Sequence, residues 1–137
     1  MSTRSRIGLE LADGSVLSAY HHWSGYPEWL GRILNTHYNT KSLVEELIDG
    51  GDMSVAWTDE RWDESGVEGV YGPQYYSQRG EDCPPRLDAN KYDYLADGEE
   101  YAYIFTLENT WICYDRHQFE ENTMPTVVEI PSAPVAA

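Results

Sequence analysis

The sequence predicts an α+β fold: an antiparallel sheet from N- and C-terminal β-hairpins, two short helices on one face, and a long irregular acidic insertion. Three observations carry this. Residues alternate apolar and polar on both sides of Asp13-Gly14, the strongest short-range hairpin signal. A second stretch, Tyr101 to Leu107 and Thr110 to Tyr114, is dominated by aromatic and β-branched residues, which favour strands. Between them lie two segments with helical spacing of apolar residues.

In the first hairpin, Arg6 to Ala12 and Ser15 to Tyr20 flank the turn. A two-residue turn at Asp13-Gly14 predicts that Leu11 faces Val16, Leu9 faces Ser18 and Ile7 faces Tyr20, on the core side. The second strand then runs into Ser24-Gly25-Tyr26-Pro27. Pro at a first helical position is favoured because its missing N–H has no partner there anyway. A helix from about Pro27 to Tyr38 places Leu30, Ile33, Leu34 and His37 on one stripe. Gly31 inside it costs about 1 kcal/mol relative to Ala, which predicts close packing against its backbone. Asn39-Thr40 caps a second helix, Lys41 to Asp49, closed by Gly50-Gly51, with Leu43, Val44, Leu47 and Ile48 as its apolar face.

Residues 52–100 hold 13 Asp and Glu against four Lys and Arg, with interspersed Trp and Tyr and frequent Gly and Pro. The expectation is a long irregular excursion with one short strand near Ser54 to Trp57, a length that itself points to function. The C-terminal hairpin turns at Glu108-Asn109, so that Tyr103 faces Tyr114 and Phe105 faces Ile112. One domain is expected over residues 1–125, followed by a Pro- and Ala-rich tail over residues 126–137, in which Thr126 to Ile130 offers an edge strand.

The chain has 137 residues, the size of one domain with a single core. Its hydrophobic fraction of 41% is ordinary, its aromatic fraction of 13% is high, and 24 Asp and Glu against 9 Lys and Arg give a net charge of −15. That field repels nucleic acid and anionic membranes and favours basic partners. No apolar run approaches the roughly 18 residues of a membrane span, and Met1 to Arg6 is not followed by a signal-peptide core. The expectation is a cytoplasmic protein with Cys83 and Cys113 as free thiols.

Unusual residues concentrate between Tyr20 and Tyr38: three of the four histidines and two of the five tryptophans. His22, Trp23, Tyr26, Trp29, His37 and Tyr38 are therefore the candidate binding residues, lining either an aromatic pocket with a few placed polar groups or a stapled strand-to-helix corner. His22, His37 and His117 with Asp115 or Cys113 could supply metal ligands, but the spacings match no standard site and no metal is assigned. The same histidines beside a carboxylate could act as a general base. With so many carboxylates in the chain, such proximity arises by chance, and no catalytic residue is assigned. No cofactor is expected.

The segments Asp13-Gly14-Ser15, Tyr20-His21-His22-Trp23-Ser24-Gly25-Tyr26-Pro27, Gly31 and His37-Tyr38 resemble a family of small acidic phage-encoded proteins, frequent in phages of cyanobacteria. The resemblance covers about the first 55 residues well and the rest loosely. Such relatives often carry Cys where His21 stands, which puts the weight on His22. The family has no assigned chemistry, so the resemblance implies an origin and a compartment, the host cytoplasm. The expected function is a non-enzymatic phage protein that binds a host protein or host-defence component with a basic surface, as monomer or homodimer. A small histidine-centred hydrolase or nuclease, with or without a metal, is the alternative, followed by a small-ligand-binding or virion accessory protein.

Overall fold

A computed structural model of the chain describes residues 3–58, 72–96, 99–117 and 125–131. Strand β1 (Ser5–Glu10) and β2 (Val16–His21) form the first hairpin. A single turn of π-helix, Pro27–Gly31, leads into α1 (Arg32–His37), and α2 (Lys41–Asp49) follows. Then come β3 (Met53–Thr58), β4 (Gly72–Tyr75), a 3-10 turn at Tyr76–Arg79, β5 (Arg86–Asp88) and α3 (Lys91–Ala96). The chain closes with β6 (Tyr101–Phe105), β7 (Trp111–Asp115) and β8 (Thr126–Val128).

The strands form one sheet in the order β4-β3-β2-β1-β6-β7-β8, with β5 also paired to β2. The mixed α+β class is as expected, but the sheet is mixed rather than antiparallel. Parallel contacts join β1 to β6 and β2 to β3. The physical reason is the route of the chain. The stretch from β2 to β3 crosses over through α1 and α2, and a crossover returns the next strand in the same direction. The two hairpins, for their part, meet through their first strands.

Both hairpins differ from the expected register by one residue. Leu9 pairs with Leu17 and Ile7 with Ala19; Tyr103 pairs with Cys113 and Phe105 with Trp111. The turns explain this, and they are alike. Leu11 N–H donates to Ser15 O and Gly14 N–H to Leu11 O; Thr106 N–H donates to Thr110 O and Asn109 N–H to Thr106 O. Each connection has one residue at positive φ, Gly14 at 89° and Asn109 at 61°. A two-residue type I′ turn needs two, whereas a three-residue loop with one left-handed residue needs only one. Asp13 reinforces the first turn by accepting from Ser15 N–H and hydroxyl.

Thr40 caps α2 as expected, accepting from Leu43 N–H, and Val44, Leu47 and Ile48 are buried. Leu43 is instead exposed. Helices α1 and α2 cover one face of the sheet, where Ile7, Leu9, Ala19, Met53, Tyr103, Phe105, Trp111 and Cys113 join Leu30, Ile33 and Leu34. A third helix, α3, covers the other face, packing Tyr94 and Leu95 against Val16, Ala102, Ile104 and Tyr114. It begins where Asn90 accepts from Asp93 N–H, a capping signal inside the segment expected to be irregular. Its end is held by Arg116, whose guanidinium donates to the carbonyls of Leu95, Ala96 and Glu99.

The expected close approach at Gly31 is real: a Cβ there would lie 2.7 Å from Ile130 Cγ2. The C-terminal residues Thr126–Val128 do add an edge strand, on β7. Cys83 and Cys113 are free thiols. Among the described residues no helix is long and apolar enough to cross a membrane.

Candidate functional site

The site is built at the C-terminal end of β2. Alternation along the strand turns Ala19 and His21 toward the helix-covered face and Tyr20 the other way. His22 N–H then donates to Met53 O at 3.2 Å and Trp23 N–H to Ser54 O at 3.0 Å, extending the contact with β3. Ser24, at φ 54°, turns the chain. This region is sparsely occupied by residues other than glycine. Here it is held on the far side, where Gly25 N–H donates to Thr3 O at 2.8 Å and Tyr103 Oη donates to Gly25 O at 2.7 Å. A Cβ on Gly25 would meet Ser5 Oγ at 2.6 Å, so the corner is seated directly on β1. Trp23 remains 48% and Tyr26 38% exposed on its outer side.

Beside Trp23, the Tyr20 hydroxyl and His22 Nδ1 are 2.6 Å apart. Burial first, then Glu99, pushes the Tyr20 phenol up to about 12, so it keeps its proton. In one tautomer of neutral His22 the Tyr20 hydroxyl donates to Nδ1 and the ring proton sits on Nε2; in the other Nδ1–H donates to the phenol oxygen. The His22 ring meets Trp23 edge-on, at 4.7 Å and 83°. Asp52 Oδ1 accepts from Tyr20 N–H at 3.0 Å, fixing the strand end from the α2–β3 connection.

The predicted residues thus fall into separate settings. His22 and Trp23 are brought together, with Tyr26 around the turn. Trp29 packs inward against His21, their ring centroids 6.1 Å apart. Tyr38 is part of the scaffold: it is buried, its hydroxyl donates to Ala56 O at 2.7 Å, and its carbonyl accepts from Trp111 Nε1 at 2.8 Å. Burial pushes its phenol well up. His37 lies half-buried at the end of α1, and that burial lowers its pKa.

A second polar cluster sits at the end of β7. Asp115 Oδ1 accepts from His117 N–H at 2.9 Å and lies 2.6 Å from His117 Nδ1, while Glu100 Oε1 is 3.7 Å from Nε2. Burial alone would raise Asp115, but the two hydrogen bonds outweigh it and hold the carboxyl below its ordinary value. Among the described residues no three His, Cys, Asp or Glu side chains are arranged to hold a metal ion.

Tyr20 and Asp52 were not among the predicted site residues. Tyr20 was legible as the partner of His22, two residues along one strand face. Asp52 was not, because only the fold brings the α2–β3 connection to the end of β2. Comparison with protein-family models, with curated proteins and with solved structures finds no match for this chain.

Proposed function

We propose that the chain is a non-enzymatic binding protein of phage type that engages a host protein or host-defence component in the host cytoplasm. The observation that carries this reading is Trp23, a large aromatic 48% exposed on a backbone corner fixed from β1, β3 and β6. An exposed aromatic held in place makes an efficient anchor, since little side-chain freedom is lost on binding. Tyr26 and the His22 ring flank it. The net charge of −15 steers the approach of a basic partner.

The test is capture from host lysate with tagged protein at low and physiological salt, with Trp23→Ala beside the wild type. The expected result is a stoichiometric basic partner that weakens steeply with salt and is lost on Trp23→Ala. Equal capture by the variant overturns the reading of the corner. Absence of any partner at either salt overturns the function.

A further inference from the structure

Beneath the Trp23 corner lies a buried polar side chain that makes no hydrogen bond to the described residues. His21 is fully buried, and among the described residues neither Nδ1 nor Nε2 has a hydrogen-bond partner. Ser5, its partner across the β1–β2 ladder, is also fully buried, and its Oγ is likewise unpartnered. The Trp29 ring closes the space from the π-helical turn. His21 also occupies a joint: its pairing with Met53 is the register contact between β2 and β3. From that joint the chain proceeds directly to His22 and Trp23.

A neutral imidazole tolerates this enclosure, but an imidazolium does not. Protonation would add a full charge and a second donor where neither ring nitrogen has an acceptor among the described residues, and a lone Ser5 hydroxyl nearby does not neutralise a charge. The groups facing His21 are Ser5 from β1, Met53 from β3 and Trp29 from the π-helical turn. The one titratable group acting on it is His22, whose charge opposes protonation as burial does. No carboxylate of the described residues is among the groups that influence it.

We infer that the corner carrying Trp23 and Tyr26 is an acid-released clamp. Protonation of His21 ejects its ring from beneath Trp29, parts β3 from β2 at Met53, and lets go of the bound partner. Partner release rests on the proposed function; the opening itself does not. The sign follows from the two states. Burial lowers His21 to about 3 in the folded protein, against roughly 6.5 for a free imidazole. Opening is therefore unaffected above pH 6.5 and becomes more favourable as pH falls toward 3. The change is roughly eight- to ninefold per unit between pH 6 and 4, and about thirtyfold in all by pH 5. Carboxylates titrate mostly below that window.

The experiment measures the unfolding equilibrium of the full chain in urea from pH 7.5 to 4.5, for wild type, His21→Leu and His21→Asn. Both variants remove the titrating group, and the second keeps a polar side chain should the first fail to fold. The wild type is expected to lose about thirtyfold relative to either variant by pH 5. Parallel pH profiles overturn the proposal. So does an NMR titration of the folded wild type that finds His21 protonating near 6. A captured partner is expected to dissociate from the wild type at pH 5 and stay on His21→Leu. Equal dissociation from both overturns the clamp, and if no partner exists, exchange of the His22 and Trp23 amides still decides whether the corner opens: protection lost at pH 5 in the wild type but kept in His21→Leu supports it, and equal protection in both overturns it.

Discussion

Replacing Gly51 with alanine should destabilise the protein far more than the same change at Gly80, although the two backbones are nearly identical, with φ of 85° and 84°. Both variants incur the left-handed penalty of about 1–2 kcal/mol. At Gly80 none of the described residues lies within 4 Å of the new methyl group, so the cost stops there. At Gly51 the methyl would stand 2.0 Å from Cys83 O and 3.1 Å from Cys83 C. Backbone cannot rotate away as a side-chain tip can, so the 83–85 segment must retreat. That segment accepts the Asp52 N–H bond at 2.9 Å, worth about 1 kcal/mol, and its retreat adds an overpacking cost of about 1–3 kcal/mol. Gly51→Ala should therefore lose roughly 2–4 kcal/mol beyond Gly80→Ala. Urea unfolding followed by tryptophan fluorescence measures the difference. Equal losses for the two variants would refute the claim that this segment is docked against the end of α2.

Arg116→Met should cost about 2–3 kcal/mol through loss of the bonds to the Leu95, Ala96 and Glu99 carbonyls. Faster hydrogen exchange confined to α3 would identify the cause, and unchanged exchange there would contradict it. Asn109→Gly should be neutral or stabilising by up to about 1 kcal/mol, whereas Asn109→Val should destabilise, because a β-branched residue is strained at φ 61°. Thermal unfolding of the pair decides this. Trp23→Ala should leave stability within about 0.5 kcal/mol, so that a loss of partner binding reports on the surface and not on the fold.

What was legible in the sequence was local. The Thr40 cap, the apolar stripe of α2 and the crowding at Gly31 all follow from chemistry within a few residues. Both hairpins were visible, yet each slipped by one residue, because Asp13-Gly14 and Glu108-Asn109 suit either a two-residue turn or a three-residue loop. The slip has a large consequence, since one step exchanges the faces. The wrong register sends Tyr20 inward beside Ile7; the right one sends His21 there and leaves Tyr20 to meet His22. Parallel pairings were beyond reach, as nothing near Ser5 indicates that Tyr101 lies beside it. The stretch from 72 to 96 was hidden by brevity: β5 has three residues and α3 six, too few for a period to emerge. Trp57 and Trp62 of the acidic insertion have side chains outside the described residues.

The placement of β1 bears on how the chain is made. Its two neighbours in the sheet are β2, a turn away, and β6, more than 80 residues later. A ribosome delivering this chain exposes the first hairpin long before the strand that flanks it exists. Ile7 and Leu9 must wait without the Tyr103 and Phe105 that cover them. Such high contact order slows folding, and an unpaired strand edge invites association in the meantime. Any version of this protein shortened before residue 101 should leave β1 as an open edge of the β4-β3-β2-β1 part of the sheet and should aggregate through it.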